Sequence, residues 1–298
     1  MSIQKLILLF LFELFSISLF SQHVETVGIY GGFNIPVTFD TGLDKDPRYL
    51  RKFVAKGTPV GIHYEYGTTN SNIGLVVTPS YLKLGQKYFI LNKIGGEVGI
   101  RNIDMSYFSV PVGVKYKVVK LSFLRINLVA GLDFCLLLNG RETISHISTL
   151  LRYPPKVSVP DSPDYRVVYD GVYVPDVKGQ VYVDKDKYRL FQLFGSFGLR
   201  GDFDLDVEGK WTLLFEAKLN YGLFDSRKNS YLSELKNPSG RPDVLGNPGA
   251  TDLYGARHDS YVSVICGISR VITTGYKLKT RRTPRRKSFE FEAKPEKK

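Results

Sequence analysis

The stretch YFSVPVGVKYKV, residues 107–118, decides the fold. Phe108, Val110, Val112, Val114, Tyr116 and Val118 form one unbroken apolar row. Tyr107, Ser109, Pro111, Gly113, Lys115 and Lys117 form the other, with two lysines and a proline. Successive side chains of a β-strand point to opposite faces, so this alternation predicts a strand with one wholly apolar face and one charged face. The question it raises is what solvent covers each face.

Working outward, the same period recurs and no long helical period interrupts it. Runs of this kind lie at 27–35, 59–67, 73–84, 123–138, 190–203, 211–224 and 261–272. In the run FLRINLVAGLDFCLLL, residues 123–138, eight apolar residues from Leu124 to Leu138 oppose Arg125, Asn127, Gly131 and Asp133. The connections alternate in length. A long polar loop follows the first run, only TTNSN follows the second, and very long stretches follow the fifth and the seventh. An even set of antiparallel strands with short turns on one side and long loops on the other is the plan of an outer-membrane barrel. Several runs reach the 9–11 residues that a tilted spanning strand needs, against about 5–6 for an ordinary globular strand. Alternation alone fits a soluble barrel with the apolar row inside equally well. Strand length, loop asymmetry and aromatics near strand ends (Tyr64, Tyr66, Tyr107, Phe108, Trp211, Tyr221, Phe224) favour the membrane reading.

The expected fold is therefore all-β: an eight-stranded antiparallel up-and-down transmembrane β-barrel with short periplasmic turns and long extracellular loops. Residues 1–22 read as a signal peptide, with Lys5, an apolar run from Leu6 to Phe20, and a Ser21–Gln22 exit. Residues 23–274 are the barrel. Residues 275–298 are a basic tail, expected to be disordered and periplasmic, which carries seven of the chain's twelve net positive charges. Its sharper reading is a tether to anionic lipid or the cell wall. The folded part is only mildly basic, which argues against a nucleic-acid partner. Cys135 and Cys266 fall on rows of opposite type, so no disulfide between them is expected. No cysteine pair has metal-ligand spacing, and no cofactor is expected.

Three further stretches, INLVAGLDFCLLLNG, LLFEAKLNYGLFDS and GIYGGFNIP, join the opening one in a wider pattern. Together they combine a Pro-interrupted strand ending Lys-aromatic, an Ala-Gly step and a Glu-Ala-basic strand ending Tyr-Gly. In this the chain resembles the PorT-like outer-membrane β-barrel family of Bacteroidetes-type bacteria over about residues 24–273. The resemblance implies an eight-stranded barrel in a Gram-negative outer membrane. It also implies an association with envelope or secretion proteins, as for the family's founding member in a secretion and gliding machinery.

The chemistry offered by the sequence is a charged lumen. The expected inward row carries Glu65, Asp133, Asp202 and Glu216 against Lys115, Lys117, Arg125, Arg200 and Lys218. An eight-stranded barrel has an interior that side chains can fill, and charges there must pair. A structural salt-bridge plug is the expectation, with a gated narrow pore as the functional alternative. An enzyme would need a nucleophile and base at the outer rim. Ser145–His146 and His258–Asp259 are the candidates, but a triad is defined by spatial geometry and not by adjacency, and no catalysis is expected. The third outer loop, about 140–187, holds Asp170–Gly171 between β-rich runs, the signal of a two-residue hairpin turn. The fourth outer loop reads as coil, and a bulge or kink is expected at Pro111, which lacks a ladder donor. The leading functional expectation is a non-enzymatic structural or interaction component of the outer membrane, embedded in lipid. The alternative is a small channel or ligand-binding surface barrel.

Overall fold

Period-2 segments become antiparallel strands because only a pleated ladder keeps one row of side chains on one face. The computed structural model describes residues 23–68, 71–154, 157–160, 162–207, 209–236 and 252–272. Its strands are β1 (His23–Asp40), β2 (Tyr49–Lys52), β3 (Lys56–Thr68), β4 (Ile73–Val77) and β5 (Ser80–Leu84). They continue with β6 (Lys87–Leu91), β7 (Glu97–Lys120), β8 (Leu124–His146), β9 (Thr149–Leu151) and β10 (Arg166–Val168). The last are β11 (Gly171–Val174), β12 (Val177–Val183), β13 (Phe191–Asp204), β14 (Trp211–Gly222) and β15 (Arg257–Ile272). A short helix, α1, spans Asn229–Lys236. The expected signal peptide, 1–22, and basic tail, 275–298, lie outside the described residues.

The wall is a ring of about eight strands. Hydrogen-bonded neighbours run β8–β13–β14–β15–β1–β3–β4–β7, and β7 pairs with β8 to close it. Every neighbour in that ring is antiparallel, with β5 continuing the line of β4 along β7. The apolar row is outside. Ile29 and Phe33 on β1, Phe108 and Val114 on β7, Phe197 and Leu199 on β13, and Phe215 and Leu219 on β14 are all exposed. Phe197 and Leu199 keep 58% and 56% of their surface, and a continuous apolar belt of this extent is not a face for water. Cys135 is buried and Cys266 is exposed, and both are free.

At the long-loop end the wall grows upward. β7 and β8 run well past the opening stretch, and β6, β2 and β12 add to them as a rim sheet ordered β12–β8–β7–β6–β2. The third outer loop therefore starts after His146 and not at residue 140, and the first contains a strand. A separate sheet, β10–β11–β9, sits in the third loop. Val168 pairs with Gly171 there, so the turn residues are Tyr169 and Asp170, one position earlier than the expected Asp-Gly pair. Gly171 is needed for a different reason: a Cβ on it would lie 2.5 Å from the Leu151 carbonyl oxygen on β9. The fourth loop is not all coil. Tyr231 and Leu235, four residues apart, share one face of α1, and both are buried against the apolar cluster that caps the lumen.

No bulge marks Pro111. It pairs in register with Asp133 on β8, and the register shifts of the β7–β8 pair fall at Ser106/Tyr107 and Lys117/Val119. The interruption is on the neighbouring strand, where Thr78 and Pro79 separate β4 from β5. Thr78 N donates to the Pro111 carbonyl at 3.1 Å, but Pro111 has no N–H to return. The Thr78 carbonyl accepts instead from the Tyr30 hydroxyl at 2.9 Å. Tyr30 reaches it across Gly61, where a Cβ would come within 2.5 Å of the ring.

Candidate functional site

The inward row divides into layers. In the first, Arg200 on β13 is the hub. Its Nε bonds Asp202 Oδ1 at 2.6 Å, and its Nη2 lies 3.3 Å from Glu65 Oε2 and 3.1 Å from His63 Nε2. Lys115 from the opening stretch bridges Glu65 and Asp202, the latter at 3.2 Å, and Asn127 donates to Asp202 at 2.9 Å. The second layer joins Lys218 to Glu216 at 3.3 Å, while Asp133 accepts from the Tyr261 hydroxyl at 3.0 Å. Arg125 and Lys117 stand apart at the short-turn mouth. Arg125 bonds Asp204 at 2.6 Å, and Lys117 donates to the Ser71 carbonyl at 3.1 Å. His63, Asn127 and Asp204 join the network without being among the nine charges expected there, although parity places all three on the inward row.

Above these layers the lumen turns apolar. Tyr107, Cys135, Leu137 and Phe194 from the wall pack with Tyr188, Tyr231 and Leu235 from the long loops. A cavity of about 190 Å³ opens at the short-turn mouth, but those further along the lumen measure about 30 and 10 Å³. The bore is closed.

A second charged cluster lies above the apolar cap. Arg101 on β7 bonds Glu142 on β8 (Nε to Oε2, 2.9 Å) and Asp252 (2.7 and 2.8 Å). Arg257 on β15 bonds the other Glu142 oxygen at 2.8 Å, and the Tyr188 hydroxyl donates to that same oxygen. Arg48 closes on Asp46 at 2.7 Å. Guanidinium groups and rings alternate: Arg48 over Tyr153 (4.4 Å) and Tyr49 (5.1 Å), then Arg101 over Tyr49 (5.1 Å) and Tyr182 (4.7 Å). This cluster is beyond the apolar belt, because outward positions change at Asn139 and Ser106 to groups such as Asp104 and Arg141. Burial pushes the Glu142 carboxyl up, but Arg101, Arg257 and the Tyr188 hydroxyl outweigh it and hold it at about 2. Burial raises the Tyr153 phenol to about 12.

Next to this cluster is the largest cavity described, about 590 Å³, between the rim sheet and the third-loop sheet. Tyr49, Tyr153, Tyr165 and Tyr182 line it with Ile90, Ile144 and Leu151, and its polar groups include Arg48, His146, Asp164, Asp176 and Gln180. The enzyme candidates do not assemble. Ser145 and His146 are consecutive in β8 and so face opposite ways. Ser145 Oγ accepts from Gly179 N at 2.8 Å, and His146 Nδ1 lies 3.2 Å from the Ile147 carbonyl. His258 lies 3.1 Å from the Gly222 carbonyl, while Asp259 accepts from Thr38. Among the described residues no group of three or more His, Cys, Asp or Glu could hold a metal ion.

A closed antiparallel ring with apolar side chains outside and paired charges inside defines an integral β-barrel of the membrane-spanning kind. The chain belongs to the outer membrane protein beta-barrel domain family, which it matches over residues 20–228, more than two thirds of its length. It is an outer-membrane protein. No match is found among curated proteins. Among solved structures it is similar to the outer membrane protein OprG from Pseudomonas aeruginosa, at 8% identity and TM-score 0.38, covering 85% of this chain and 98% of that one. Ail, the attachment invasion locus protein of Yersinia pestis, gives 11% and 0.31, covering 83% and 98%. The outer membrane protease OmpT from Escherichia coli gives 10% and 0.39, covering 84% and 97%.

Proposed function

We propose that this is an eight-stranded surface barrel that binds a ligand with its folded outer head and conducts nothing through its bore. In this reading the short turns are periplasmic, and the rim sheet, third-loop sheet and α1 stand outside the cell. The observation that carries it is the contrast in space. The bore is filled by ion pairs and an apolar cap, while the head encloses about 590 Å³. Loops on a rigid scaffold are where binding concentrates, and pockets of about 300–1,000 Å³ suit small ligands. The PorT-like motifs support a finer reading, in which the head or the periplasmic face also meets an envelope or secretion protein. The nine lumen charges then act as a structural plug.

The test of the closed bore is a planar-bilayer recording of the purified protein. No stable opening is expected; large, long-lived conductance steps would sink the reading. The test of the head is a ligand-observed binding screen against the full chain in lipid nanodiscs, using small probes of several chemical classes, with the Tyr165→Ala variant as the site control.

A further inference from the structure

We propose that the head cavity is a site for a neutral saccharide. The proposal deepens the ligand-binding reading above and rests on it. Its first support is the aromatic lining. Tyr49, Tyr153, Tyr165 and Tyr182 all border the cavity, and three of them are held by stacking against the buried guanidinium groups of Arg48 and Arg101. Rings held in this way lose little freedom when a ligand lands, so the surface is preorganised. The flat C–H face of a pyranose is the natural complement of such a ring.

The second support is charge. Both guanidinium groups are already bonded to carboxylates, Arg48 to Asp46 and Arg101 to Glu142 and Asp252. The polar side of the cavity adds Asp164 and Asp176, the second of which acts on the lining His146. Of the basic groups on the lining, Arg48 is bonded to Asp46 through its Nε and Nη2 and His146 stands with Asp176, so an anion would meet two carboxylates and a guanidinium already engaged. A cation would be drawn to the carboxylates, but three of the four rings on which it could stack already face Arg48 or Arg101. The third support is the mixture of groups. A purely apolar guest would strip water from Asp164, Asp176 and Gln180 and return no hydrogen bond, which is costly. Sugar hydroxyls donate to carboxylates and exchange hydrogen bonds with the Gln180 amide. A neutral ring with hydroxyls on its edge and C–H groups on its face meets all three conditions. The volume suits a short oligosaccharide of about two or three rings.

The experiment is saturation-transfer NMR on the full chain in lipid nanodiscs, so that no sugar-headed detergent competes. The probes are maltotriose, cellotriose and triacetylchitotriose, alongside tetramethylammonium, inorganic phosphate and p-cresol. Transfer to at least one trisaccharide is expected. Affinity should fall at least tenfold in Tyr165→Ala, hold in Tyr165→Phe, and fall severalfold in Asp176→Asn. An unboiled gel sample with unchanged mobility shows that each variant keeps its barrel. No transfer to any of the three sugars, or equal transfer in Tyr165→Ala, overturns the proposal. If p-cresol or tetramethylammonium instead binds in a Tyr165-dependent way, the saccharide assignment fails and the ligand-binding reading stands. If no probe of any class binds, both fail.

Discussion

The molecule holds two buried charge clusters, and they are built on different principles. The lumen cluster uses residues two apart on regular strands, such as Arg200 with Asp202 and Glu216 with Lys218, so each side chain starts beside its partner. The head cluster draws Asp46, Arg48, Arg101, Glu142, Asp252 and Arg257 from two strands of the rim, one barrel strand and two loops. The lumen cluster is redundant, because Glu65 and Asp202 each touch both Lys115 and Arg200. The head cluster leans on one residue: among the described residues Arg101 is the cation that bonds both Glu142 and Asp252, tying β7 and β8 to the fourth loop, while the other contacts of Asp252 are longer, 4.0 Å to Arg48 and 3.5 Å from the Tyr182 hydroxyl.

Removing that residue should show the difference most strongly. Arg101→Ala takes the nearest cation from Asp252, leaving Arg48 at 4.0 Å, and one of two cations from Glu142, which keeps Arg257; breaking a buried pair costs about 3–5 kcal/mol. The head is expected to lose its order while the barrel stays folded. Limited proteolysis should cut the third and fourth loops of the variant, with heat-modified gel mobility unchanged. Loops as resistant as the wild type's would contradict that role. Acid should loosen the same cluster without mutation. Glu142 is held near 2, below its ordinary 4.5, so its contribution is complete above about pH 4.5 and fades as pH falls toward 2. Hydrogen-exchange protection at the rim, corrected for the intrinsic rate at each pH and followed from pH 5 to pH 2.5, should fall in that window.

The lumen cluster should yield less. Lys115→Met removes one cation, yet Arg200 remains on both carboxylates. The expected loss is about 1.5–3 kcal/mol, the scale of hydrogen bonds to charged groups, read by urea unfolding from lipid vesicles. A loss as large as that of Arg101→Ala would mean that the redundancy counts for nothing.

The two clusters also differ in how far the sequence discloses them. On β13 and β14 the period is unbroken, so Arg200, Asp202, Glu216 and Lys218 fall on the inward row by counting alone. On β8 the count fails. Ser106 pairs with Asn139 but Tyr107 pairs with Leu137, so Leu138 is an extra residue. Such a bulge turns the following residues over. Before it the odd positions Asp133, Cys135 and Leu137 are buried; after it the even positions Glu142 and Ile144 are. Counted from the apolar row, Glu142 belongs to the lipid side, which hides the central carboxylate of the head. Asp46, Arg48 and Asp252 lie in segments without period, and only the packing of the loops brings them together. The head cavity is unreadable for the same reason, since its four tyrosines come from β2, β12 and the third loop.

Pro111 lies between these cases, because its defect is legible and its remedy is not. The missing N–H can be read from the sequence, and a bulge is the ordinary answer. The structure keeps the register and brings a hydroxyl from a strand two places away, with Gly61 clearing the path. Tyr30→Phe should therefore leave the Thr78 carbonyl without its partner and cost about 1–2 kcal/mol, the price of an unsatisfied buried acceptor. A double-mutant cycle separates this from lost packing. Pro111→Ala restores a backbone donor opposite Thr78. In that background Tyr30→Phe should cost about 1 kcal/mol less. Equal costs in the two backgrounds would show that Tyr30 acts only as a space-filling ring, and that the wall tolerates the proline without help from the lumen.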